Sequence, residues 1–174
     1  MKETNQILIT GVPGTGKTTL SKEFKKLGYN AFDLESIDGM FKTIDINTKT
    51  TFANFDKENV NNTENSEWIC DKNMLSNLIN DNSDKISFYF ASMSNIDDLI
   101  SLFDTVILLV LDEENLRNRL SGRVGDNFGK TKEMQDWLFT WKNWWENHMI
   151  EQGALKVDSN QPAEKIIQEI LNNC

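Results

Sequence analysis

The chain has 174 residues, 39% of them hydrophobic, with 18 basic against 27 acidic side chains and a formal net charge of −9. That is the size and composition of one globular domain able to bury a core, and 1–174 reads as a single unit. Such acidity excludes gripping a nucleic-acid backbone along a broad surface, so any bound phosphate is expected at a local site.

Residues 6–10, QILIT, form a short apolar run ending at glycine, as a buried strand does. From Lys17 the spacing of Leu20, Phe24 and Leu27 is helical, and Gly28 stops it. A second strand is expected over 29–34, YNAFDL. The segment 45–67 is polar, rich in Asn and Thr and without clear periodicity, and is expected to be a mobile excursion. A helix is expected over 68–79, a strand over 85–91 and a short helix over 96–103. TVILLVL, 105–111, is the most hydrophobic run, and its β-branched start favours a central strand. Asp112 should cap a helix through Leu120. A long helix follows over 131–151, then a strand over 154–157, and Pro162 opens the last helix.

Strands alternating with helices predict βαβ units, a parallel sheet and helices on both faces. Trp137, Trp141, Trp144 and Trp145 recur at helical spacing and predict a core stripe. His148 follows them with no visible partner. Cys70 and Cys174 have no paired spacing, so neither a disulfide framework nor a zinc site is expected, and a reducing cytoplasm is. The first ten residues lack the apolar length of a signal peptide. No apolar run approaches the roughly 18 residues that span a bilayer, so no membrane partner is expected.

The motif that carries chemistry is 11-GVPGTGKT-18, in the pattern G-x-x-x-x-G-K-[ST] between a strand and an amphipathic helix. Glycines at Gly11, Gly14 and Gly16 let the backbone N–H groups of Val12, Pro13's neighbours, Thr15, Thr18 and Thr19 curl around phosphate oxygens. The helix N-terminus adds partial positive charge. Lys17 is the expected phosphate contact and Thr18 an expected Mg²⁺ ligand. No guanine-reading N-K-x-D motif is present. Motor and AAA+ ATPases need more sequence beyond the core than this chain has. There is room for a sheet, a lid and an acceptor site, which favours a small-molecule kinase. Lysine is spread throughout, yet the three arginines, Arg117, Arg119 and Arg123, fall within seven residues.

ILITGVPGTGKTTL, FDLES, VILLVLDEENLRNRLSGR and VDSNQPAEKIIQEI together resemble the P-loop small-molecule kinases, the adenylate kinase-like and shikimate kinase-like group. Within it, DNFGK resembles bacterial kinase-like ATP-binding proteins of unassigned acceptor. The resemblance covers nearly the whole chain except 45–67. It implies a three-layer α/β/α P-loop NTPase fold with a five-stranded parallel sheet in the order 2-3-1-4-5. It implies transfer of the γ-phosphate of ATP, with Mg²⁺, to a small-molecule acceptor: nucleoside, nucleotide, shikimate-like acid or sugar.

The lid is expected at about 123–130. Arg119 and Arg123 match its R-x-x-x-R spacing and share a helical face, so they are expected to clamp the transferring group, with Arg117 a bystander. The competing reading pairs Arg119 and Arg123 with Glu113, Glu114 or Asp126. Asp33 is expected as metal support or as base, and Glu35 matches the second acid of a D-x-D pattern. Ser92 and Asn95 are expected at the acceptor, though Asn95 could cap the next helix. Lys130 and Asn127 are expected to meet phosphates or acceptor on closure. Asn160, Gln161 and Pro162 match a loop that lines adenine, and Asp112 is expected to be structural. The alternative function is an ATPase-type regulatory protein without a small acceptor. Oligomeric state is left open.

Overall fold

The first apolar run forms β1 (Asn5–Thr10), whose six residues are all buried in the computed structural model, which describes residues 5–124 and 128–174. A strand buried on both faces must lie inside a sheet covered on both sides. Helix α1 (Lys17–Lys26) follows and ends where Gly28 takes φ +86°, open to a residue without a Cβ. Strand β2 (Asn30–Asp33) runs into a 3₁₀ turn at Leu34–Ser36.

Next come β3 (Phe41–Asp45), α2 (Val60–Glu64) and β4 (Ser66–Cys70). Helix α3 (Lys72–Asn80) is capped by Asp71, whose carboxylate accepts from Met74 N–H at 2.9 Å. Strand β5 (Ile86–Phe90), 3₁₀ turns at Ile96–Asp98 and Ile100–Leu102, and β6 (Thr105–Val110) lead to α4 (Glu113–Ser121). Asp112 caps α4 as expected, accepting from Asn115 N–H at 2.9 Å. Helix α5 (Lys132–Glu151), capped by Thr131, strand β7 (Leu155–Asp158) and α6 (Ala163–Asn172) complete the chain.

The main sheet is parallel, in the order β2-β5-β1-β6-β7. Numbered by their own succession along the chain, these five strands stand 2-3-1-4-5, the expected order. Side chains alternate between its faces. Ile7, Ile9, Phe88, Phe90, Ile107 and Leu109 face α1 and α6, against Leu20, Phe24, Ile166, Ile167 and Ile170. Leu8, Tyr89, Val106 and Leu108 face the other way, towards Leu75, Ile79 and Met149. Phe24 is fully buried, its ring 4.6 Å from Phe88 and 5.6 Å from Phe90. Each such side chain contributes about 1.5–3 kcal/mol by leaving water.

The structure departs from the sequence reading in four places. Trp68 is in β4, not a helix, and the helix begins only after Asp71. The segment 45–67, read as unpatterned, holds α2 and is bracketed by β3 and β4, which pair antiparallel from Phe41↔Cys70 to Asp45↔Ser66. The tryptophan stripe is incomplete, because Trp144 is 68% exposed. It stacks instead on His148 at 5.6 Å, and His148 Nε2 lies 2.7 Å from Asp97 Oδ1, so that histidine has two partners. The buried face of α5 centres on Met134, Leu138 and Met149, and Trp144 lies outside that arc. The helix expected over 96–103 is two short 3₁₀ turns. No helix is long and apolar enough to cross a membrane among the described residues.

Candidate active site

The loop between β1 and α1 is set by its glycines. Gly14 and Gly16 have φ +97° and +102°, a region L side chains rarely enter. Gly14 also has no room. A Cβ there would lie 2.6 Å from Leu116 Cδ1 and 3.1 Å from Leu120 Cδ2, both fully buried on α4. Gly14→Ala is therefore expected to lower stability by about 1–3 kcal/mol. Urea unfolding would read this as a lower midpoint; an unchanged midpoint would mean that α4 yields freely.

Thr15 fastens the loop from within, its hydroxyl donating to Val12 O at 2.9 Å. Gly16 is the N-cap of α1 and supplies no side-chain cap, so the first-turn amides of Lys17, Thr18 and Thr19 face outward around an uncapped helix start. Val12 is buried and Thr18 and Thr19 are exposed. A cradle of this kind, with a helix N-terminus behind it, fits phosphate oxygens.

Lys17 folds over the loop, donating to Gly11 O at 2.7 Å and Val12 O at 3.3 Å. Burial pushes its ammonium below the ordinary lysine value; Glu35 opposes that, Arg123 adds to it, and Asp33 opposes it more weakly. Four expected site residues from three separate parts of the chain are thus in electrostatic reach of one another. The topology explains it: β1, β2 and β5 are parallel neighbours, so their C-terminal ends deliver Lys17, Asp33 with Glu35, and Ser92 to one edge.

Ser92 ties these ends together. Its N–H donates to Glu35 Oε1 at 3.0 Å and its hydroxyl to Gly11 O at 2.6 Å. Asn95 neither caps the next turn nor points at the cleft. Its amide oxygen accepts from Cys70 N–H and its amide nitrogen donates to Cys70 O, both at 3.0 Å. Ser94 grips Trp68 in the same way, accepting at its hydroxyl and donating from its N–H. Asn95 therefore fastens the β3–β4 hairpin beside the site.

The three arginines separate in space. Arg117 pairs with Glu113 at 2.8 Å and Asp136 at 2.9 Å and lies over the Phe139 ring, locking α4 to α5 as the expected bystander. Arg119 reaches the opposite loop, donating to Ser159 O at 2.7 Å, and its guanidinium would lie 3.7 Å from a Cβ on Gly16. Arg123 donates to Phe128 O at 3.0 Å. Burial lowers its pKa, and Glu35 and Glu58 oppose that. Neither Arg119 nor Arg123 forms an ion pair within 4 Å among the described residues. Arg119 lies in the last turn of α4 while Arg123 lies beyond its end at Ser121, so the expected shared helix face does not form and the two meet different segments.

Asn160 Oδ1 accepts from Asn115, its backbone and amide N–H groups both donate to Asp158, and Gln161 donates to Asp158 O and Glu169. Pro162 is the N-cap of α6. These contacts are local, and it is Ser159 that bonds the phosphate loop, donating to Thr15 O. Sequence reading passed over Ser159, whose only signal was its neighbourhood in DSNQP. It also passed over Glu58, inside the segment read as mobile. Lys130 is exposed, two residues before α5. Asn127 and Asp126, with Gly125, lie outside the described residues.

The AAA domain family profile matches residues 7–139. No curated protein matches the sequence. Two solved structures of deoxyadenosine kinase from M. mycoides are similar in fold. One, with dCMP and dCDP bound, superposes with TM-score 0.56 at 18% identity, covering 96% of this chain and 97% of that one. The other, with dATP bound, gives 0.55 at 16% identity, covering 97% and 98%. A gluconokinase from Sinorhizobium meliloti 1021 gives 0.49 at 19% identity, covering 95% and 88%. The matched stretch runs from β1 into α5. On that match and this sheet order, the chain belongs to the AAA domain family and has the fold of the P-loop small-molecule kinases.

Proposed function

We propose that this protein transfers the γ-phosphoryl group of ATP to a hydroxyl or phosphate of a small-molecule acceptor. The observation that carries the reading is the meeting of Lys17, Glu35, Asp33 and Arg123 at the mouth of an uncapped glycine loop. Phosphoryl transfer needs mostly position and electrostatic support, and this cluster offers both. Lys17 leaves the loop carbonyls for the β- and γ-phosphate oxygens. Arg123 faces the transferring group, whose charge spreads over three oxygens that a planar guanidinium can match. Arg119, beside Ser159, holds the base end of the nucleotide together with the 158–162 loop.

Glu35 is oriented by the Ser92 amide, which suits it to take the proton of an acceptor hydroxyl. The acceptor oxygen then bonds to the γ-phosphorus, the bond to the bridging oxygen breaks, and ADP leaves. Thr18 and Asp33 are the residues that would hold Mg²⁺, and the exposed first-turn hydroxyl and the half-buried acid fit that cation's preference for oxygen. When bound, the ion neutralises phosphate charge. The free thiols of Cys70 and Cys174 fit a reducing cytoplasm.

Glu35→Gln is expected to keep ATP affinity and lower transfer by about 10²–10⁴-fold. Asp33→Asn is expected to keep nucleotide affinity without Mg²⁺ and to weaken only its enhancement by the ion. Nucleotide titrations with and without Mg²⁺, beside turnover, separate the two roles; equal profiles for both variants would refute the division.

The acceptor class is first sought among deoxynucleosides, since deoxyadenosine kinase from M. mycoides is similar in fold. An ATP-consumption screen over deoxynucleosides, nucleotides, shikimate-like acids and sugars, with Lys17→Ala as the control, tests the reading. A second reading, ATP hydrolysis without a small acceptor, has the AAA domain match in its favour. Phosphate release that no acceptor stimulates, and that Lys17→Ala abolishes, would select it.

A further inference from the structure

The residue that links the segment between β3 and β4 to the turn before α5 is Glu58. It lies between β3 and β4, in the segment whose sequence promises nothing, yet its carboxylate is engaged three times. Oε1 accepts from Gly129 N–H at 2.6 Å and from Lys130 N–H at 3.4 Å, and Oε2 accepts from Thr131 N–H at 3.1 Å. Three successive amides on one carboxylate fix the turn that opens α5. Thr131 caps α5 independently, through Met134 N–H, so the helix has its own start signal without Glu58.

The same turn is held from two other sides. Gln135, buried, donates to Gly129 O at 3.0 Å. Gly129 itself has φ +85° and would place a Cβ 3.0 Å from Leu120 Cδ2. The fourth attachment is Arg123, whose guanidinium donates to Phe128 O at 3.0 Å. Arg123 is therefore seated on the turn that Glu58 holds. Glu58 in turn is carried by the module that Ser94 and Asn95 fasten beside the candidate acceptor site.

We infer that Glu58 is a positioning residue for phosphoryl transfer, holding the 128–131 turn so that Arg123 stays at the transfer site and tying that arginine to the acceptor-side hairpin. The inference rests on the kinase reading above.

Glu58 touches no reacting atom, so its effect must pass through Arg123. The test uses the full chain and needs no acceptor. Affinity is measured for ADP alone and for ADP with Mg²⁺ and aluminium fluoride, an analogue of the group in flight. The proteins are wild type, Glu58→Gln, Arg123→Ala and the double variant. Glu58→Gln is expected to leave ADP affinity within about twofold and to weaken capture of the fluoride complex about tenfold or more. In the Arg123→Ala background the same substitution is expected to have no further effect. Glu58→Asp keeps the charge and should recover part of the loss. Equal weakening of ADP and of the complex, or full additivity in the double variant, would overturn the inference while leaving the kinase reading in place. A wild-type protein that does not bind ADP would overturn both.

Discussion

Lys17→Ala is expected to abolish phosphoryl transfer while leaving the protein folded. The ammonium is held by two loop carbonyls, with Glu35 and Asp33 offsetting part of the desolvation that pushes its pKa down. A charge placed where burial disfavours it contributes little to folding. Its removal should thus move the unfolding midpoint by no more than about 1 kcal/mol in either direction. The effect on ATP turnover is of another size. Loss of one preorganised positive donor at a developing phosphoryl charge costs about 10²–10³-fold, and the loss of phosphate binding adds to it. Lys17→Arg is expected to restore little, because the guanidinium is longer and planar where a compact ammonium fits under the loop. Turnover and urea unfolding on the same preparations decide it. A variant that keeps more than about a tenth of wild-type turnover would show that Lys17 is a loop fastener only.

The fold was legible where a single physical signal dominated. The three central strands β1, β5 and β6 each form a short apolar run, and their faces alternate because both sides of a parallel sheet are covered. The caps at Asp112 and Pro162 were legible because a cap is a local event, decided by two or three neighbouring residues. The β3–β4 hairpin was not. FKTID and SEWIC are each five residues long, and their partner strands are some twenty residues apart, so no turn signature joins them. The apolar end of SEWIC, Trp68 to Cys70, runs on into the apolar spacing of α3, which drew Trp68 into a helix. Glu58 was out of reach for a related reason. Its partners Gly129, Lys130 and Thr131 are about seventy residues away, and a carboxylate that binds distant amides leaves no local pattern. The phosphate loop was legible from spacing alone, since phosphate must be met by consecutive amides. The division between Arg119 and Arg123 was not, because helical spacing promised a shared face while α4 stops at Ser121, between them, and spacing says nothing of which loop lies opposite each.

Arg123→Ala is expected to have an effect as large as that at Lys17, with a different profile. Only one terminal nitrogen of Arg123 is committed among the described residues, to Phe128 O. The rest of the fork faces the cluster in which Glu35 and Glu58 sustain its charge against burial. Arginine placed at a transferring phosphoryl group is worth about 10³–10⁵-fold in turnover. In the proposed mechanism the ground-state nucleotide is held mainly by the loop amides and Lys17, so the loss should fall on kcat, with the KM for ATP changed by no more than about threefold. Arg123→Lys should recover no more than about a tenth of the lost rate, since a point charge cannot offer paired donors to two oxygens. Arg119→Ala should show the reverse balance, a raised KM for ATP and a nearly unchanged kcat, because Arg119 lies against Ser159 and Gly16, away from Glu35. Steady-state kinetics of the two alanine variants, with the acceptor that the screen identifies or with water as acceptor, places them on opposite sides of the kcat–KM split. If both variants lose kcat alike, the two arginines act as one clamp and the division drawn from their contacts fails.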